Sequence, residues 1–323
     1  MSGTARDITR PAATVGVLYA GEMGAAFAAL LRGRGVHVVT TLRGRGDQTA
    51  RRCAEAGVTV LDSAADVVRR SDIVVSLVPP AAAEAVCADY CRLAAEAPPR
   101  AVYVDMNSVG PDLAATLATR VEGAGRSFVD GAINGLAKNL ASGCTLYLSG
   151  PRAEDVARLV GNAMRVRGLG ERAGDASAMK MLLSALSKGL CALFAETALV
   201  ARRRGMLDEM IEAYRMIYPG AMAVVDRMLP TYTEHAARRA SETRELEETA
   251  RSAGVEPCVL AAVRRLHEVL AEVPFRGSHD PGAQDVPSFI DRLAREAVLA
   301  APAACPAEPV PEEAVPTTSK RRQ

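Results

Sequence analysis

The stretch Thr14-Val15-Gly16-Val17-Leu18-Tyr19-Ala20-Gly21-Glu22-Met23-Gly24 joins a short apolar run to a glycine-bearing turn. A helical pattern follows from Ala25 to Arg32 and is ended by Gly33 and Gly35; a second apolar run, Val36 to Thr41, closes the unit. Strand, tight glycine turn, helix and strand in this order are the opening of a dinucleotide-binding fold. The layout has a chemical reason. Backbone N–H groups at a helix start are unpaired and carry partial positive charge, so they hold a pyrophosphate. Glycine admits the phosphate without a Cβ in the way. Of the usual G-x-G-x-x-G, the second and third glycines are present as Gly21 and Gly24, and Tyr19 stands in place of the first. The expected cofactor contacts are therefore Tyr19, Ala20, Gly21, Glu22, Met23 and Gly24, joined by Val78 and Pro79 after a later strand.

Alternation continues outward from this unit. Asp47–Ala56 reads as a helix, Val58–Leu61 as a strand, and Asp62-Ser63 as the cap of a helix to Arg70. Asp72–Val78 is a buried strand, Pro79-Pro80 precede a helix from Ala81 to Ala94, and Ala101–Asp105 is the next strand. Pro111 opens another helix. Strands at Ser127–Asp130, Thr145–Leu148 and Ala163–Val166 enclose a helix at Pro151–Asn162. The pattern predicts an α/β fold, a Rossmann doubly wound, mostly parallel sheet with right-handed crossovers. From Asp175 to Arg204 one long Ala- and Leu-rich helix follows, and the chain then stays helical: 207–217, 218–228, 231–252, 257–271 and 286–299. The expected organisation is a tail at 1–13, a Rossmann domain at 14–170, a smaller all-α domain at 171–299 joined through the long helix, and a disordered, Pro- and Ala-rich tail at 300–323.

Composition removes several function classes. The 323 residues carry 39 Lys and Arg against 38 Asp and Glu, a net charge of +1, which gives no reason to expect nucleic acid or an anionic membrane as partner. No uninterrupted run of about 18 apolar residues is present, so no membrane span is expected. Residues 1–11 lack an apolar signal core, and a cytoplasmic protein is expected. Seven cysteines are scattered without C-x-x-C and the four histidines, His279 in a loop-like segment among them, lie far apart, so no metal site is expected. Cys87 and Cys91, four apart on a helix, read as buried or half-buried thiols.

Arg43 and Arg45 stand just past the second strand, where dinucleotide folds meet the adenine ribose, and no carboxylate appears before Asp47. An arginine there meets a 2′-phosphate, so NADP(H) is the expected cofactor. Lys180, Ser184 and Lys188 are spaced by four and lie in one row of the long helix. A lysine in an apolar cleft, beside a second cation, loses its charge more easily and can then exchange protons near neutral pH. A surface lysine lying along a long helix is the plainer alternative, and it is the reading for Lys188. The row Arg202-Arg203-Arg204 reads as helix-end cations. Tyr214, Tyr218, Met206, Met210 and Met216 read as core or interface, and Tyr232 and His235 are open between packing and a cleft.

Three segments resemble those of the β-hydroxyacid dehydrogenases and the related phosphogluconate dehydrogenases. Asp105-Met106-Asn107-Ser108-Val109-Gly110-Pro111 is similar to the family's D-x-S-T-x-x-P, Asp130 to Leu136 to its D-A-P-V-S-G-G, and Gly174 to Lys180 to its G-x-x-x-x-x-K-x-x-x-N. The resemblance covers roughly residues 14 to 200. It is strongest to uncharacterised, phosphogluconate-dehydrogenase-like bacterial oxidoreductases with a short C-terminal helical domain. It implies hydride transfer between a nicotinamide and a small polar substrate, bound between the two domains, with Lys180 as catalytic acid/base and Ser184 beside it, where the family has Asn. It also implies that Asn107 touches both cofactor and substrate, and that Ser108, Asn134, Gly135, Lys180 and Ser184 line the substrate. Imine reductases share the architecture but usually carry Asp or Tyr in place of Lys180. A non-catalytic NADP-binding sensor is the rival from another class. A homodimer through the all-α domain is expected, because a long apolar helix is hard to cover within roughly 130 residues.

Overall fold

The computed structural model describes residues 13–95, 101–272 and 285–296; the expected tail at 1–13 except for Ala13, the expected tail at 300–323 and the loop carrying His279 lie outside them. The first elements are β1 (Thr14–Leu18), α1 (Glu22–Arg32), β2 (His37–Thr41), α2 (Asp47–Glu55), β3 (Thr59–Leu61) and α3 (Ala64–Arg70). Then come β4 (Ile73–Ser76), α4 (Ala83–Ala94), β5 (Val102–Asp105), α5 (Pro111–Gly123), β6 (Ser127–Asn134), the short α6 (Leu140–Gly143), β7 (Thr145–Ser149), α7 (Ala153–Val160) and β8 (Arg165–Gly168). The helical remainder is α8 (Asp175–Arg203), α9 (Leu207–Ile217), α10 (Pro219–Met228), α11 (Ala236–Ser252), α12 (Cys258–Glu272) and α13 (Val286–Arg295).

The eight strands form one sheet in the order β3-β2-β1-β4-β5-β6-β7-β8. Every pairing is parallel except β6 with β7. The period-two pleat explains how the sheet is covered. Val15 and Val17 of β1, Ile73 and Val75 of β4, and Val102 and Val104 of β5 point into a core shared with Phe27 and Leu31 of α1 and Val156 and Val160 of α7. Their neighbours Leu18, Val74 and Tyr103 point the other way, onto Val67 of α3, Tyr90 of α4 and Leu117 of α5. Burial on both faces is why these strands read as continuous apolar runs.

Three elements differ from the sequence expectation. β6 runs on to Asn134 rather than stopping at Asp130, because Gly131, Ala132 and Ile133 stay buried and pair with β7. The helix expected from Thr231 begins at Ala236. Pro230 lacks an N–H and restricts Leu229, so a run of turns separates it from α10. α6 was not expected at all; four residues carry too little periodicity to be seen.

The described chain forms two compact units, one of residues up to Ala192 with Ala237–His267, the other of Leu193–Ala236 and the residues from Glu268 onward. The boundary expected near residue 171 thus falls inside the first unit. The reason is chemical: the start of α8 is bonded to the sheet. The Asp130 carboxylate accepts from the backbone N–H of Gly174 at 3.0 Å, from that of Ser177 at 3.0 Å and from Ser177 Oγ at 2.7 Å. Ser149 Oγ, itself bonded to Asp130, accepts from Ala176 N–H at 3.1 Å. An anion thus caps the positive end of a 29-residue helix. By length and composition alone α8 would pass as a membrane span, its most apolar 18-residue stretch having mean hydropathy 1.4. No apolar run of that length is visible in the sequence because Lys180, Lys188 and Glu196 interrupt it.

In the second unit Phe194, Tyr214 and Tyr218 form a chain of ring contacts, each 6.0 Å between centroids. Arg202 at the end of α8 pairs with Asp291 of α13. Tyr232 is fully buried and His235 exposed. In the first unit Cys87 is buried and Cys91 half-buried.

Candidate functional site

The carboxyl ends of β1, β4 and β5 are adjacent in the sheet, and the loops leaving them carry most of the expected contacts. Beyond β1, Tyr19 has φ +58°, the only positive φ of a non-glycine residue among those described. It takes the left-handed turn that the missing first glycine would have made, at a conformational cost on the order of 1 kcal/mol. Gly21 then starts α1 with no side chain capping it, and the first bond of the helix runs from Ala25 N–H to Gly21 O at 2.8 Å. The N–H groups of Glu22, Met23 and Gly24 have no partner within the helix. A Cβ on Gly21 would meet nothing within 4 Å, so the ground above the turn is open. A Cβ on Gly24 would sit 3.4 Å from Val17 Cγ1, where α1 rests on β1. An uncapped helix end above open ground fits the pyrophosphate of a dinucleotide.

Arg43 and Arg45 are exposed on the turn after β2. The Arg45 guanidinium lies over the Tyr19 ring, 4.4 Å from its centroid, a cation–π contact that ties the ribose-side loop to the glycine turn. After β4, Val78 is half-buried and Pro79 exposed.

Asn107 is buried, and its amide is fully engaged inside the protein. Oδ1 accepts from Val78 N–H at 2.7 Å; Nδ2 donates to Ser76 Oγ at 3.0 Å and to Asp105 Oδ2 at 2.8 Å. It fixes the β4 loop to the β5 loop, so the side chain expected to touch both ligands acts as a clamp that positions their neighbours. Burial pushes the Asp105 carboxyl up to about 7, against the Asn107 donors that favour its charge.

Ser108, the next residue, is exposed and accepts a hydrogen bond from Lys180 Nζ at 2.6 Å. Gly174 explains why α8 delivers Lys180 there. It has φ +99°, and a Cβ on it would lie 2.7 Å from Pro111 O, so α8 begins against the start of α5. Six residues on, about 9 Å along the axis, Lys180 meets the loop that leads into α5. Burial lowers the pKa of Lys180, and Glu242 works in the opposite sense.

The row read from the sequence is present. Lys188 Nζ donates to Ser184 Oγ at 2.8 Å, and Ser184 Oγ donates to Met181 O at 3.0 Å. Lys188 is buried rather than at the surface, in an ion pair of 2.9 Å with Glu242 of α11; the plain surface reading of this lysine is corrected. Burial would raise the Glu242 carboxyl, but Lys188, Arg238 and Arg239 outweigh it and hold it below the usual range. Ser108, Lys180, Ser184, Lys188, Glu242 and Glu245 line one cavity of about 190 Å³, and all its lining residues belong to the first unit. Asn134 and Gly135 are exposed at the end of β6 and do not line it. Gly135 serves another end: it has φ +137°, and a Cβ there would fall 2.3 Å from Cys144 Sγ.

Sequence reading missed the contribution of α11. The signal was present: Arg238, Glu242 and Glu245 recur at spacings of four and three, one face of a helix. It carried no weight because charged faces are common on solvated helices. The capping role of Asp130 was also missed, since its partners lie more than 40 residues away.

Residues 14–161 match the NAD binding domain of 6-phosphogluconate dehydrogenase, and residues 201–270 match the domain of unknown function DUF1932. An uncharacterised 28.5 kDa protein of Methanothermus fervidus is 26% identical over 260 residues, 80% of this chain and 99% of that one. The solved structure of conserved protein MTH1747, a protein of unknown function with structural similarity to 3-hydroxyacid dehydrogenases, is 30% identical, with TM-score 0.65 over 80% of this chain and 96% of that chain. The 3-hydroxyisobutyrate dehydrogenase of Mycobacterium tuberculosis, solved with L-serine, shares the fold at TM-score 0.68 and 18% identity, over 87% and 99% of the two chains. So does the imine reductase of Myxococcus stipitatus with NADP+, at TM-score 0.54 and 21% identity, over 86% and 99%. The chain belongs to the NAD(P)-binding family, structurally similar to 3-hydroxyacid dehydrogenases, in which a 6-phosphogluconate dehydrogenase-type NAD binding domain is followed by DUF1932.

Proposed function

We propose that the protein is an NADPH-dependent oxidoreductase acting at a carbonyl or hydroxyl carbon of a small polar substrate, with Lys180 as general acid/base. The observation that carries this reading is the placement of Lys180. It is half-buried, bonded to Ser108 at the carboxyl end of β5, and lines a cavity of small-molecule size. Burial lowers its pKa, which makes the neutral amine that accepts a hydroxyl proton easier to reach; in the reducing direction the protonated form gives that proton to the forming alkoxide. Ser108 Oγ, 2.6 Å from Nζ, holds the amine at the cavity wall. Ser184 and the Lys188–Glu242 pair behind it fix the adjoining turn of α8. A nicotinamide, when bound, supplies or takes up the hydride. The turn from Tyr19 to Gly24 would hold its pyrophosphate, and the Val78-Pro79 loop, clamped by Asn107, would border it.

NADPH is favoured over NADH in this reading because Arg43 and Arg45, with no carboxylate beside them, occupy the end of β2. The chain would act in the cytoplasm on a small molecule, without nucleic acid or membrane, as a homodimer. Leu182, Leu186, Leu193 and Val200 are exposed and lie on one stripe of α8, an apolar face suited to a second copy.

The test is NADPH oxidation against a panel of oxoacids, aldehydes and cyclic imines. Turnover of a carbonyl is the expected result. Turnover of imines alone would make the chain an imine reductase, and tight NADP binding with no turnover across the panel would make it a sensor.

A further inference from the structure

Resting on the reading of the turn after β1 and the loops after β4 and β5 as a nicotinamide-dinucleotide site, we infer that Asp105 is a positioning residue for the cofactor: it sets which end of the Asn107 amide faces Val78, and so fixes the loop that borders the nucleotide. Ser76, Asp105, Asp130 and Ser149 stand opposite one another on β4, β5, β6 and β7, and all four are buried. A buried carboxyl is costly on a strand whose other inward members, Val102 and Val104, are apolar. Asp130 offsets that cost by capping α8. Asp105 directs both oxygens at one residue. Oδ1 accepts from Asn107 N–H at 3.0 Å and Oδ2 from Asn107 Nδ2 at 2.8 Å, and among the described residues its hydrogen bonds go to Asn107 alone.

An amide can turn end for end with little change of shape, so its neighbours decide which way it lies. Ser76 Oγ, 3.0 Å from Nδ2, is a hydroxyl that donates or accepts and suits either end. A carboxylate only accepts. Asp105 therefore admits the NH₂ end alone, which leaves Oδ1 for Val78 N–H at 2.7 Å. That bond carries more weight than in an ordinary loop. Pro79 and Pro80 have no N–H, so beyond Val78 the next backbone donor is that of Ala81. With the amide turned over, Nδ2 would face Val78 N–H, donor against donor, and the Val78-Pro79 loop would lose its hold on the β5 loop.

The test reads NADPH affinity of the full chain by fluorescence titration, with circular dichroism to show that each variant is folded. It is run at pH 8, above the value of about 7 to which burial pushes the Asp105 carboxyl. Asp105→Asn offers one acceptor to the two donors of Asn107 and is expected to weaken NADPH binding at least tenfold. The exchange of Asp105→Asn together with Asn107→Asp restores every pairing with its polarity reversed. The amide at 105 accepts from the backbone N–H of 107 and donates to the carboxylate at 107, whose second oxygen accepts from Val78 N–H. This exchanged pair is expected to bind NADPH within threefold of wild type. Asp130→Asn, buried in the same row but bonded to α8, is also expected to stay within threefold, which separates positioning of the cofactor loop from general loosening of the sheet. A folded Asp105→Asn protein that loses less than tenfold would overturn the inference. So would an exchanged pair that fails to fold or falls outside threefold, and this arm decides alone if Asp105→Asn does not fold. An equal loss in Asp130→Asn would overturn it as well. Failure of the cofactor reading is separately visible, as a wild-type chain that binds neither NADPH nor NADH.

Discussion

Tyr19 and Arg45 make the cofactor side of the site legible at the scale of single residues. The first fingerprint glycine is absent, yet its backbone conformation is kept by a tyrosine at φ +58°, and the tyrosine ring then carries Arg45. The sequence shows the substitution but not the stack, because Tyr19 and Arg45 are 26 positions apart and meet only when β1 and β2 pair. Arg43 stands exposed two residues before Arg45 with its guanidinium available for a 2′-phosphate. Such a charge-assisted contact is worth roughly 1.5–3 kcal/mol, about one to two decades in affinity. NADPH should therefore bind at least tenfold more tightly than NADH, and Arg43→Ala should erase most of the difference in a fluorescence titration. An unchanged ratio would place the discrimination elsewhere.

At the scale of elements, periodicity located nearly every helix and strand, and it failed where the decisive bonds are long-range. The Asp130 cap on α8 and the β6–β7 antiparallel pair depend on partners that no local pattern announces. The row Lys180, Ser184, Lys188 was legible from spacing alone, whereas the partner helix α11 was not. Behind that row, α11 and α12 bury His267 with Thr243, 3.4 Å from Nδ1 to Oγ1. Burial first, then Arg239 and Lys188, push the imidazole down to about 4. Below about pH 6.5 the unfolded chain takes up a proton that the folded chain refuses until about pH 4, so this group withdraws roughly 3 kcal/mol of stability as pH falls across that window. Asp105, raised to about 7, acts with the opposite sign: its folded form holds a proton that the unfolded form has lost, so stability grows as pH falls from about 7 toward 4. The wild-type protein should therefore show a shallow pH dependence. His267→Gln removes only the first contribution. Its urea midpoint should rise, relative to wild type, between about pH 6.5 and about pH 4. Parallel curves for the two proteins would contradict the burial of a neutral imidazole.

At the scale of the whole molecule, the fold was legible because an alternating βα pattern leaves few topologies, but the division into compact units was not. The pattern change near residue 171 marks a change of secondary structure, while packing assigns the first part of α8 and most of α11 to the unit that holds the sheet. The apolar stripe of α8, with Leu186 77% exposed, is the observation behind the proposed homodimer. Sedimentation should show a dimer at micromolar concentration, and Leu186→Glu should shift it toward monomer; a wild-type monomer would contradict the stripe's assignment. The central claim concerns Lys180, whose position joins the β5 loop, α8 and the cavity. Its direct test is the turnover number of Lys180→Ala beside that of Lys188→Ala, on the best carbonyl substrate, with NADPH affinity measured for each. General acid/base catalysis contributes typically 10²–10⁴-fold, so Lys180→Ala should lose about two decades or more in kcat with NADPH binding nearly intact, and Lys188→Ala far less. Full turnover in a folded Lys180→Ala protein would contradict the account.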